Sequence, residues 1–95
     1  MGEQNDDIEI KLIQTCLACP EQYDAFVGEN QVGYLRLRNG VFRVDCPYCG
    51  GETVLSLSPK GDGVFDYDER EKYIEMAKIA IKYWLKEQEP TERVR

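Results

Sequence analysis

At 95 residues with a formal charge of −6, the chain holds one domain's worth of acidic sequence and no room for a second independent core. Its 42% hydrophobic and 32% charged residues mark a folded chain, and no apolar run reaches the ~18 residues that a membrane-spanning helix needs. Histidine is absent, which removes Ser-His and Cys-His nucleophiles together with histidine metal ligands, so the chain reads as non-enzymatic.

Residues 1–7 are polar and acidic and read as a frayed tail. They lack the basic and apolar segments of a signal peptide, and Asp6 stands where a myristoylation motif wants Ser or Thr. Together these features point to a cytoplasmic protein without a membrane anchor. Ile8-Glu9-Ile10-Lys11-Leu12 alternates apolar and polar, the pattern of a half-buried strand leading to Cys16. Strand-like runs follow at 22–27, 31–38 and 41–45. Gly28-Glu29-Asn30 marks a turn whose loop is two or three residues long, and the two lengths place Phe26 on opposite faces. Asn39-Gly40 is the stronger signal, because both central positions of a type I′ turn need positive φ. A two-residue loop there sets Arg38 opposite Val41, Leu37 opposite Phe42, Arg36 opposite Arg43, Leu35 opposite Val44 and Tyr34 opposite Asp45. Leu35, Leu37, Phe42 and Val44 then share an inward face, while Tyr34, Arg36, Arg38, Val41, Arg43 and Asp45 share the outer one.

Glu52–Leu57 reads as a further strand and residues 58–63 as a loop. Asp68 followed by Glu71 forms an Asp variant of the capping box, and helix formers run from there to about Gln88, with Pro90 just beyond. At about 100° per residue, Tyr73, Ile74, Met76, Ala77, Ala80, Ile81, Trp84 and Leu85 fall on one apolar arc of about 180°. Ile79 and Tyr83 extend that arc beyond what one small sheet needs as a cover. The acids from Asp62 to Glu71 do not fit the spacing of an EF-hand loop and suit a helix N-terminus instead. Residues 89–95 read as a second tail, which leaves residues 8–88 as the domain.

Cys16-Leu17-Ala18-Cys19 and Cys46-Pro47-Tyr48-Cys49-Gly50 are two Cys-x-x-Cys units that use all four cysteines of the chain. Two such units facing each other make a tetrahedral thiolate site, in which backbone N–H groups of each turn offset the sulfur charge. On these residues the chain resembles the zinc-ribbon class, with Pro47 and Gly50 the most specific positions of its rubredoxin-type knuckles. The resemblance implies one structural Zn²⁺ held by Cys16, Cys19, Cys46 and Cys49, with the knuckles at neighbouring hairpin ends. The expected fold is α+β: a small antiparallel sheet carrying a four-cysteine zinc ribbon and covered by one long C-terminal helix.

A closed four-thiolate site leaves no open coordination position for substrate. The favoured function is therefore a small zinc-binding adaptor or inhibitor that acts by protein–protein interaction, using Ile79 and Tyr83 and open to homodimer formation through the helix. Two alternatives stand beside it. One is a single-stranded nucleic-acid binder using Tyr34, Arg36, Arg38 and Arg43. The other is a rubredoxin-like iron electron carrier using the same four thiolates.

Overall fold

The computed structural model of the protein describes residues 8–16 and 20–88; the two expected tails and Cys19 lie outside the described residues. The fold is α+β. Five strands, β1 (Lys11–Cys16), β2 (Glu21–Val27), β3 (Asn30–Arg38), β4 (Val41–Cys46) and β5 (Glu52–Leu57), form one open antiparallel sheet in sequential order, followed by α1 (Arg70–Glu87). No described helix is long and apolar enough to cross a membrane.

The β3–β4 hairpin folds as its turn chemistry dictates. Asn39 and Gly40 both take positive φ, 55° and 76°, and all five expected cross-strand pairs form. Leu35, Leu37, Phe42 and Val44 face inward and are fully buried, each worth about 1.5–3 kcal/mol. The β2–β3 connection closes with a two-residue loop, Gly28-Glu29, between paired Val27 and Asn30, and an irregularity after Ala25 shifts the register there. The first strand differs from expectation. β1 starts at Lys11, opposite Phe26, and runs to Cys16, because β2 ends at Val27 and offers Ile8–Ile10 almost no ladder. Ile10 is buried all the same, packed with the core.

Helix α1 lies over the inner face of β3, β4 and β5. Ala77 and Ile81 are wholly buried at its centre, flanked by Tyr73, Ile74, Trp84 and Leu85 packed against the core. The helix approaches closely because Gly33 carries no side chain: a Cβ there would meet Ile81 Cδ1 at 2.6 Å. The expected capping box is not made. The N-cap is Glu69, without a side-chain cap hydrogen bond, and Asp68 turns away to Lys60 Nζ at 3.0 Å.

Two glutamates fasten the loop between β5 and α1, and both escape a reading by periodicity. The Glu69 carboxylate accepts backbone N–H groups of Lys60, Gly61 and Asp66 at 2.8–2.9 Å. Burial pushes its pKa up, but these three donors outweigh burial and lower it. Glu21, at the start of β2, accepts Phe65 N–H at 3.0 Å, Arg70 Nε at 2.8 Å and Arg70 Nη2 at 3.1 Å, and also the Tyr23 hydroxyl. The clasp seats Phe65 edge-on to Phe42, with centroids 4.9 Å apart, and stacked on Tyr73 at 5.5 Å, closing one end of the core.

Candidate functional site

The cysteines come first. Alternation along β4 turns Phe42, Val44 and Cys46 to the helix-facing side, and Cys46 is 1% exposed within the core. Its burial, with the Asp45 and Glu52 carboxylates nearby, pushes the thiol up to about 12. Cys49 is exposed and lies beside Tyr34 across the outer face. The intervening turn closes on Asp45: Gly50 N–H donates to Oδ2 at 3.1 Å and the Thr53 hydroxyl to Oδ1 at 2.8 Å. Gly51 is held so near the chain that a Cβ would sit 2.2 Å from the Cys46 carbonyl oxygen.

Cys16 is elsewhere. In a sequential meander the β1–β2 and β4–β5 connections emerge at opposite ends of the sheet, and β1 is three strands from β4. Cys16 pairs with Gln22, in the row that continues through Arg36 to Arg43, three residues before Cys46. At ~4.8 Å per strand and ~3.4 Å per residue, this ladder separates the Cys16 and Cys46 backbones by about 18 Å. Tetrahedral Zn–S bonds of about 2.3 Å hold sulfurs ~3.8 Å apart. The structure brings Cys46 and Cys49 to one turn and leaves Cys16 at the other end of the sheet, while Cys19, the other ligand of the expected first knuckle, lies outside the described residues. Among the described residues, no three Cys, Asp or Glu side chains are grouped as metal ligands would be.

The outer face carries Arg36 opposite Arg43, with Arg38 one row on, and a depression lined by these three, Asn39 and Val41. Arg43 Nε stands 3.2 Å from Asp45 Oδ1, an ion pair without hydrogen-bond alignment. Among the described residues, neither Arg36 nor Arg38 has a carboxylate at ion-pair distance. Tyr34 lies on this face as its parity requires but is only 8% exposed, and Asp45 only 2%. The 46–52 turn folds over both, and the Arg36 guanidinium sits 5.9 Å from the Tyr34 ring centroid. Tyr34 thus offers no open ring for a base to stack on.

The third place is the margin of α1. Ile79 and Tyr83 are 63% and 69% exposed, on the side of the helix that the sheet does not reach. Tyr83, Ala80, Trp84 and Glu87 form one wall of a groove of about 320 Å³, and Glu52, Thr53 and Val54 of the edge strand β5 form the other. Trp84 Nε1 donates to Glu52 Oε1 at 3.1 Å and ties the walls together. Helical spacing marks Tyr83 as surplus, whereas the part played by Glu52 and Glu87 emerges only once β5 is known to be the edge under the helix C-terminus.

No protein-family model matches the chain, and neither a curated protein nor a solved structure matches it.

Proposed function

We propose that the protein is a non-enzymatic binding module, an adaptor or inhibitor, that holds another protein against the margin of α1 beside β5. The observation that carries this reading is the exposure of Ile79 and Tyr83 on a helix that packs Tyr73, Ile74, Ala77, Ile81, Trp84 and Leu85 against the sheet. Two large apolar side chains left in water one helical turn apart have no purpose within the fold, and burial against a partner would recover their transfer free energy. The groove is built by β5 and α1 alone, so the reading needs no bound metal. It stands ahead of a single-strand nucleic-acid binder because Tyr34 is sealed and Arg43 is offset by Asp45. It stands ahead of an iron carrier because Cys16 is remote from Cys46. The test is chemical cross-linking in extracts with the wild type and with the Ile79→Asp, Tyr83→Lys double variant. Wild type is expected to capture a discrete protein that the equally folded variant loses; identical capture by both refutes the reading.

A further inference from the structure

From the chemistry of the groove between β5 and α1 we infer the partner's contact segment: an extended peptide bearing arginine or lysine. This deepens the reading just proposed and rests on it. Three features of the groove select a cation. Its two carboxylates, Glu52 and Glu87, stand on opposite walls, and among the described residues no lysine or arginine lines the space between them. Its aromatic residues are Tyr83 and Trp84, whose ring faces attract a guanidinium or ammonium group. It also lies at the C-terminal end of α1, the negative end of the helix dipole. Glu52 already accepts the indole N–H through Oε1, which holds its carboxylate at the rim and leaves Oε2 for an incoming donor.

An extended backbone suits the strand that forms the wall. Among the described residues β5 is the last strand of the sheet and pairs only with β4, so its outer edge presents main-chain donors and acceptors to another segment. Its sequence, Glu52-Thr53-Val54-Leu55-Ser56-Leu57, contains neither the lysine nor the proline that commonly guards an edge. The register irregularity at Val54 limits pairing to short stretches on either side of it. The side chains, more than a long ladder, must therefore supply specificity. A second copy of the chain is the poorer occupant, because it is itself acidic at −6 and would bring further carboxylates to a site that lacks cations. The same charge favours encounter with a basic segment at low salt.

Trp84 is the only tryptophan in the chain, so its fluorescence reports on the groove directly. The probe is a capped octapeptide of alternating arginine and valine, with a glutamate–valine octapeptide as control. The arginine peptide is expected to shift Trp84 emission saturably, and the glutamate peptide to leave it unchanged. Glu52→Gln with Glu87→Gln keeps an acceptor for the indole and removes both charges. It is expected to weaken binding about tenfold, equivalent to about 1.4 kcal/mol. Equal affinity of wild type and this variant, equal response to both peptides, or no response at millimolar peptide would each overturn the inference. A stable dimer by light scattering that the Gln variant tightens would overturn it as well, in favour of a second copy. If the peptide fails while Ile79→Asp with Tyr83→Lys still abolishes capture, the binding surface stands and its cationic ligand falls. If both fail, the surface falls too.

Discussion

Replacing Glu21 with Gln tests how the loop and the helix are fastened to the sheet. The carboxylate is 3% exposed and meets four donors: Phe65 N–H, the Tyr23 hydroxyl and two nitrogens of Arg70. Glutamine keeps the shape and one acceptor, so Phe65 retains a partner, but its amide NH2 is directed at Arg70 and the guanidinium loses its counter-charge. Breaking a buried ion pair from one side costs about 3–5 kcal/mol, and because the Arg70 side chain is 39% exposed the cost here is taken as about 2–3 kcal/mol. Against a whole-domain stability of roughly 5–14 kcal/mol for this length, that loss lowers the melting temperature by roughly 10–20 °C. The pH dependence has a definite sign. Burial raises the Glu21 pKa, but the hydrogen bonds from Arg70, Tyr23 and Phe65 outweigh it and hold the group below its ordinary 4.5. A depressed carboxyl contributes stability above its unfolded value and loses it as pH falls through the folded one. Urea denaturation at pH 7 and at a series of values below 4.5 should therefore show the wild type losing stability as acid is added, with the Gln variant losing less over the same interval. Arg70→Met alone and combined with the Gln change completes a double-mutant cycle. Equal stability of wild type and Glu21→Gln at pH 7, or additivity in the cycle, would refute the clasp.

Two further perturbations address packing and the cysteines. Gly33→Ala should cost about 1–3 kcal/mol by overpacking against Ile81, and Ile81→Val, which removes the clashing Cδ1, should recover part of it; a neutral Gly33→Ala in denaturant titrations would mean that the helix does not approach as closely as described. Cys46→Ser places a hydroxyl in the apolar core and should cost about 1–3 kcal/mol, whereas Cys16→Ser, at the sheet's other end, should cost no more than ~0.5 kcal/mol. Equal collapse of both variants, reproduced in the wild type by a chelator, would show that the two thiols share one ion and that the strand order separating them is wrong.

Local chemistry made the β3–β4 hairpin legible. Asn39-Gly40 has few alternatives to a type I′ turn, and once the loop length is known, alternation assigns every residue from Tyr34 to Asp45 to a face. The inner face of α1 was legible for the same reason, since a period of 3.6 residues selects Ala77 and Ile81 together. Alternation names a face but not what lies on it, so Tyr34 and Asp45 read as exposed until the 46–52 turn is seen folded over them. Glu21 and Glu69 were illegible because a carboxylate that gathers backbone N–H groups leaves no periodic trace. The donors to Glu21 from Phe65 and Arg70 lie 44 and 49 residues away in sequence. The cysteine spacing suggested a shared site because it specifies two compact turns, yet it carries no information about which end of the sheet each turn occupies. That depends on the number of strands between them.

The unbroken order of the five strands has a kinetic consequence. Each strand meets its neighbour across a connection of at most a few residues, so the loop-closure entropy of every ladder is small and the sheet can zip from any hairpin, most readily from Asn39-Gly40. The contacts of Glu21 with Phe65 and Arg70, like the packing of Ile81 on Gly33, require about half of the chain to be enclosed in a single loop. They gain their free energy after the hairpins exist, on the downhill side of the barrier. Mutations at the clasp should accordingly accelerate unfolding while leaving the refolding rate nearly unchanged, so the residues that most determine how long the fold persists contribute little to how it is found.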